Sequence, residues 1–124
     1  MPERSADLDY DTLHADIRAF ADERDWRKFH DPKSLLIAMM GEVGEVSELI
    51  QWLPSTEAAQ LVRSEPLAGQ MRAELADVFI YLIQLADACD VDLITSGAEK
   101  LAANARKYPA ETVRGAAPER PGAQ

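Results

Sequence analysis

The helix that decides the fold is encoded by residues 31–53, DPKSLLIAMMGEVGEVSELIQWL. Asp31 is a typical N-cap residue and Pro32 suits the first helical position, so we expect the helix to begin there and to end before Pro54. Apolar side chains recur at helical spacing along the segment. The core positions that this spacing predicts are Leu35, Leu36, Met39, Val43, Val46, Leu49 and Ile50.

Three further helices are predicted around this one. They span about residues 12–25, 66–89 and 90–108. Asp9 or Asp11 is expected to cap the first of them, and Asp90 or Asp92 the last. A linker over residues 54–65 has room for one helical turn. Because no pair of strands is apparent, the sequence predicts an all-α, four-helix bundle.

The composition is that of one soluble globular domain. The chain has 124 residues, of which 47% are hydrophobic and 28% charged, close to the average for such domains. We predict a domain over residues 1–109 and a flexible tail over residues 110–124, where proline and glycine are frequent and apolar bulk is scarce. The third helix is apolar on nearly every face, which predicts that a second copy of the chain covers part of it.

Charge and hydropathy exclude two classes of partner. A formal net charge of -9 argues against binding along a nucleic acid polymer, which needs a basic face. The longest apolar run is interrupted by Gln84 and is far shorter than the roughly 20 residues that span a membrane. The single cysteine and the polar, acidic N-terminus without an apolar signal core predict a cytoplasmic protein.

Two pairs of carboxylates are the most informative chemical feature. Glu42 and Glu45 lie three residues apart in the second helix, and Glu74 and Asp77 repeat this spacing in the third. Residues so spaced lie about 60° apart around a helix, so each pair shares a face. Carboxylates gathered beside apolar surface resist ionisation, and a hard divalent cation such as Mg²⁺ removes that conflict. The alternative is an exposed acidic face on each of two amphipathic helices.

Two glycines accompany the first pair of carboxylates. Gly41 and Gly44 each cost about 1 kcal/mol of helix stability relative to alanine. A sequence selected only for helix stability would not place them there. We expect them to permit close approach of the two antiparallel helices that carry the carboxylates.

The order of several motifs resembles that of a known enzyme family. E-x-x-E is followed after 28 residues by E-x-x-D. Around this pattern stand ERDWRKFH, KSLLIAMMGEVGEVSELIQW, AELADVFIYLIQLADACDVDL and NARKYP. Together they resemble the all-α nucleoside triphosphate pyrophosphohydrolases, the MazG-like superfamily, and within it the dCTP pyrophosphatase branch. The similarity covers residues 16–109.

The resemblance implies a fold, a reaction and a cofactor. The fold would be a four-helix MazG-like bundle completed by oligomerisation, with a homotetramer built as paired dimers. The substrate would be dCTP or a modified dCTP-like nucleotide, cleaved between the α and β phosphates to a monophosphate and pyrophosphate, which cleans the nucleotide pool. Mg²⁺, with Mn²⁺ as an acceptable substitute, would be held by Glu42, Glu45, Glu74 and Asp77. Glu45, or else Glu42, would act as the catalytic base, with Glu48 supporting the site.

The resemblance also implies substrate-binding residues. They are Trp26, Trp52, Tyr81, Lys100, Asn104, Lys107 and Tyr108. Lys100 and Lys107 are two helical turns apart with Asn104 between them, which suits one face that meets phosphates. The chain departs from the family pattern at Ile17, where a histidine is expected, and carries His14 one turn earlier.

Two other functions remain open from the sequence. One is a MazG-like pyrophosphatase with broad specificity or another preferred base. The other is a non-catalytic helical interaction module that kept the bundle without turnover. The presence of all four expected metal ligands argues against the second.

Overall fold

The structure, a computed structural model, describes residues 8–117, and its regular segments are all helices. They are α1 (Tyr10–Glu23), α2 (Pro32–Ile50), α3 (Ser55–Leu61), α4 (Leu67–Ala88), α5 (Leu93–Lys107) and α6 (Ala110–Val113), with a 3₁₀ turn at Arg27–Phe29 before α2. No strand occurs between residues 8 and 117. The prediction of an all-α fold is therefore confirmed. No described helix is long and apolar enough to cross a membrane.

Side-chain caps fix where three of the helices begin. Asp9 accepts a hydrogen bond from the Thr12 amide at 2.8 Å and starts α1. Asp31 accepts from the Ser34 amide at 2.9 Å, with Pro32 in the first turn of α2. Asp92 accepts from the Thr95 amide at 3.0 Å and starts α5. Each cap satisfies a backbone donor that has no partner within its helix.

The chain divides into two compact units, the first ending at Asp90 and the second beginning at Val91. In the first unit α4 packs against both α2 and α1. Its buried apolar side chains come from these helices and are Ile17, Ala21, Leu35, Ala68, Ile83 and Ala86. The second unit contains α5 and α6. The predicted domain over residues 1–109 stays a prediction.

The tail and the core differ in part from the sequence-based expectation. Residues Ala110–Val113 form the short helix α6 inside the predicted tail, while residues 118–124 of that tail lie outside the described part. The prediction that Leu36 and Val43 are core residues is wrong for the single chain, since both are exposed. Helical spacing marks an apolar face, but it does not tell whether this chain or another molecule covers it.

An ion cluster joins α1 to α4. The Asp87 carboxylate on α4 lies 2.6 Å from His14 Nε2 and accepts a hydrogen bond from Arg18 Nε at 3.0 Å. Burial raises the pKa of Asp87, but the hydrogen bonds from His14 and Arg18 outweigh it and hold the pKa below its usual value. The ionised carboxylate therefore stabilises the contact between the two helices.

We expect Asp87→Asn to lower the free energy of unfolding by about 1–2 kcal/mol, because the charge-assisted hydrogen bonds are lost at a half-buried site. A carboxyl group whose pKa is lowered by folding stabilises the protein above its unfolded pKa, 3.8 here, and loses that effect as the pH falls through the folded value. Urea unfolding at about pH 5 and about pH 3 should therefore show the difference from the wild type shrinking in acid. Asp16→Asn, an exposed change on α1, is the control. A difference of equal size at both pH values would contradict this role.

Candidate active site

Three carboxylates from two helices meet in the first unit. Glu42 and Glu45 on α2 and Glu74 on α4 each offer one oxygen within 4.8 Å of the others. Glu42 and Glu74 are half-buried, whereas Glu45 is exposed. The packing of α2 against α4 thus brings together side chains about 30 residues apart in sequence. We call these three residues the carboxylate triad.

The triad is electrostatically unfavourable without a cation. The neighbouring Glu45 carboxyl group, with burial and the charge of Glu42, raises the pKa of Glu74 to about 7. Burial, followed by the charge of Glu45, raises the pKa of Glu42. One buried oxygen of Glu42 and one of Glu74, Oε2 in each case, have no hydrogen-bond donor among the described residues.

These features fit a hard divalent cation. The triad offers only carboxylate oxygens, which are the ligands that Mg²⁺ and Mn²⁺ prefer. A cation would neutralise the concentrated negative charge. It would also bind the two carboxylate oxygens that lack a hydrogen-bond donor, which we call the orphaned oxygens. Among the described residues, no lysine or arginine forms an ion pair with the triad. The site therefore suits a metal better than it suits a salt bridge.

Two more acidic residues predicted for the site lie outside the triad. Asp77 is exposed one turn beyond Glu74, and its charge contributes to raising the pKa of Glu42. Glu48 is exposed one turn beyond Glu45. Asp77 as a metal ligand and Glu48 as a supporting residue stay predictions.

The glycines of α2 do not serve the purpose predicted for them. A Cβ atom built on Gly41 or Gly44 would meet nothing within 4 Å. The expectation that they allow close approach of α2 to α4 is therefore wrong for this chain. Both face open space beside the triad residues Glu42 and Glu45.

We expect Gly44→Ala to raise the free energy of unfolding by about 1 kcal/mol, since alanine favours the helix and its methyl group meets open space. Gly97→Ala on α5 also adds a Cβ to open space and is the stability control. A lower stability of Gly44→Ala, without the same loss in Gly97→Ala, would contradict this interpretation.

The predicted aromatic residues occupy different settings in the first unit. Trp26 is 47% exposed and packs edge-on against Phe20, with ring centroids 5.7 Å apart. Trp52, in the turn after α2, is 86% exposed. Tyr81 is half-buried two turns beyond Glu74 on α4, and therefore lies on the same helix face. The two tryptophans leave apolar ring surface open to a planar ligand.

The remaining predicted substrate residues belong to the second unit. Lys100 and Lys107 are exposed on α5, while Asn104 and Tyr108 are half-buried. The Lys107 ammonium nitrogen lies 5.3 Å from the centre of the Tyr108 ring. Their role toward a substrate stays a prediction.

Sequence analysis missed the ion cluster of His14, Arg18 and Asp87. His14 and Arg18 are four residues apart on α1, and that spacing places both on one face. Their partner Asp87 lies 69 residues beyond Arg18. The helical spacing was a usable signal for the pair, but no local pattern identifies so distant a partner.

Comparison with known proteins gives three kinds of match. The profile of the MazG nucleotide pyrophosphohydrolase domain matches residues 30–110. The chain is 45% identical over 105 residues to dCTP pyrophosphatase 1 of Bos taurus, covering 85% of this chain and 60% of that protein. It is 45% identical over 102 residues to dCTP pyrophosphatase 1 of Homo sapiens, covering 82% of this chain and 58% of that protein.

A solved structure matches as well. The crystal structure of a pyrophosphatase from Archaeoglobus fulgidus superposes with a TM-score of 0.76 at 33% identity, covering 87% of this chain and 99% of that one. By contrast, the chain spans about 60% of the length of the curated relatives it matches. The helical fold therefore has a counterpart of nearly the same length among solved structures.

Proposed function

Because the chain belongs to the MazG nucleotide pyrophosphohydrolase family, we propose that it hydrolyses a nucleoside triphosphate between the α and β phosphates, releasing a monophosphate and pyrophosphate. The resemblance drawn from the sequence motifs is confirmed by these matches. The observation that carries the proposal is the carboxylate triad with its two orphaned oxygens. Such a site needs a cation, and a cation is what a highly anionic substrate needs in order to approach acidic residues.

We assign Glu42, Glu45 and Glu74 as ligands of Mg²⁺, with Mn²⁺ as a substitute and Asp77 as a fourth ligand. The bound cation would neutralise phosphate charge and lower the pKa of water. Coordination of the ion would account for the triad oxygens that are left without donors. Binding of the ion would also lower the pKa of Glu74 from about 7 by favouring its ionised form.

Glu45 is our candidate for the catalytic base. It is the exposed member of the triad, so bulk water reaches its carboxylate. Glu42, half-buried and with its pKa raised by burial, is better suited to hold the cation than to exchange protons with solvent. Lys100, Asn104 and Lys107 are assigned to the phosphates.

The nucleobase of the substrate would stack on aromatic rings. Trp26 and Trp52 offer exposed rings, and Tyr81 and Tyr108 complete the proposed substrate contacts. Two proteins with 45% identity are named dCTP pyrophosphatase 1, and on this ground we propose dCTP or a modified dCTP-like nucleotide as the substrate. Ile17 is buried, and its side chain has no polar group that could form a hydrogen bond with a nucleobase.

The proposal also includes a cellular compartment and an oligomeric state. Removal of unwanted deoxynucleotides before a polymerase uses them is a task for the compartment that holds the nucleotide pool, and we propose the cytoplasm. We propose a homo-oligomer, a pair of dimers, because α4 exposes a stripe of large apolar side chains, namely Leu75, Phe79 and Leu82. A second copy of the chain would cover them.

A panel of nucleoside triphosphates incubated with the protein tests the reaction. We expect dCTP-like substrates to give monophosphate and pyrophosphate in equal amounts with Mg²⁺ or Mn²⁺, and nothing in EDTA. Detection of both products by chromatography separates cleavage at the α–β bond from release of single phosphates. Equal rates across all bases would favour the broad-specificity alternative. No turnover of any triphosphate, together with no Mg²⁺ binding in a calorimetric titration, would favour the non-catalytic module.

A further inference from the structure

A polar cleft lies in the first unit between α1, the 3₁₀ turn and α4, with a volume of about 110 Å³. Its floor is apolar and includes Ile17 and Ala21. Its polar wall includes Arg27, His30 and Gln84. None of the residues that line the cleft belongs to the carboxylate triad.

The negative charges near the cleft already have partners. Asp87, which lines one side, is paired with Arg18 and His14. Asp22 on α1 lies 3.4 Å from Arg27 Nη1, at a point where both side chains are more than half exposed. An exposed contact of that length contributes little, and it engages only one of the five N–H donors of the guanidinium group.

Other donors of the cleft are unused. His30 and Gln84 are half-buried, and neither side chain forms a hydrogen bond with any residue in the described range. Arg27, His30 and Gln84 thus present a cation, an imidazole and an amide around one small space. This occurs in a chain whose net charge is -9.

Planar guanidinium groups bind oxyanions through paired hydrogen bonds, and amide and imidazole N–H groups add further donors. We propose that this cleft binds a small phosphate-like oxyanion, with Arg27 as the principal ligand and His30 and Gln84 as additional donors. The oxyanion is inorganic phosphate, pyrophosphate or the phosphate group of a nucleoside monophosphate. The cleft needs no metal for this, in contrast to the carboxylate triad, whose own charge repels anions.

NMR titration of the full chain in EDTA tests the proposal. Inorganic phosphate and pyrophosphate are the first two probes, and amide signals of His30 and Ala88, at the cleft, report binding. We expect saturable chemical-shift changes. Arg27→Gln should lower the affinity for the anion at least about tenfold, since a charged donor is lost. Gln84→Leu should weaken binding several-fold while keeping the volume and the helix.

Two control variants distinguish binding in the cleft from binding elsewhere on the chain. Arg63→Gln removes an exposed arginine elsewhere in the first unit and should leave the affinity unchanged. Glu45→Gln should also leave the affinity unchanged, because Glu45 does not line the cleft. Comparing the affinities for phosphate, pyrophosphate and a nucleoside monophosphate identifies which source the cleft prefers.

The outcomes that would overturn the proposal are equally definite. Absence of saturable shifts with every probe in EDTA would show that the cleft holds no oxyanion. Equal weakening by Arg27→Gln and Arg63→Gln would show a general charge effect instead of a site. A changed affinity in Glu45→Gln, in either direction, would place the anion at the carboxylate triad.

Discussion

Glu45→Gln is expected to lower the rate of pyrophosphate release by about 10²–10⁴-fold, the usual contribution of a general base. Glutamine keeps the size of the side chain and removes the charge and the proton acceptor. The same change removes a proposed metal ligand, which adds to the expected loss. Steady-state rates with dCTP and saturating Mg²⁺ measure the effect.

The substitution should leave the fold intact. Glu45 is exposed, and its carboxyl group is the main cause of the raised pKa of Glu74. Removal of that charge relieves repulsion within the triad, so the thermal midpoint in EDTA should be unchanged or higher. Glu57→Gln, an exposed change on α3, is the matched control and should retain full activity.

Retention of the wild-type rate by Glu45→Gln would contradict the assignment of the site. The activity would then come from a contaminant or from residues outside the triad. Wild-type Mg²⁺ affinity with a strongly reduced rate would keep Glu45 as the base and remove it from the ligands. Calorimetric titration of Mg²⁺ therefore accompanies the rate measurements.

Features determined by neighbours in sequence were predictable. Asp31 followed by Pro32 predicted the start of α2, because a cap and its donor amide are three residues apart. The spacing of Glu42 and Glu45 placed them on one helix face, and the second pair predicted a partner helix. The contact between Glu74 and α2 follows because two helices of complementary apolar faces pack against each other.

Features determined by distant contacts or by other molecules were not predictable. The pairing of Asp87 with His14 and Arg18 depends on how α1 crosses α4. The sequence marks Leu36 and Val43 as apolar, yet both are exposed in this chain. An amphipathic pattern predicts that a face becomes covered, but the covering molecule can be a second copy.

The second large expected effect concerns the apolar side chains that α4 exposes and that a second copy of the chain would cover. Leu75, Phe79 and Leu82 recur every three or four residues on α4 and are 51%, 42% and 38% exposed. Burying a phenylalanine side chain contributes about 1.5–3 kcal/mol. A two-fold symmetric interface uses the residue twice, so its loss should raise the dissociation constant of the assembly by at least about 100-fold.

Phe79→Asp should therefore convert the proposed oligomer into smaller species, as measured by light scattering during gel filtration. Aspartate at this position also places a charge into the apolar contact. Gln70→Asp, an exposed change elsewhere on α4, should leave the mass unchanged. Where the partner chain completes the substrate pocket, pyrophosphate release should fall with the mass. A monomeric wild type, or an unchanged mass for Phe79→Asp, would show that this stripe is covered by something other than a second copy.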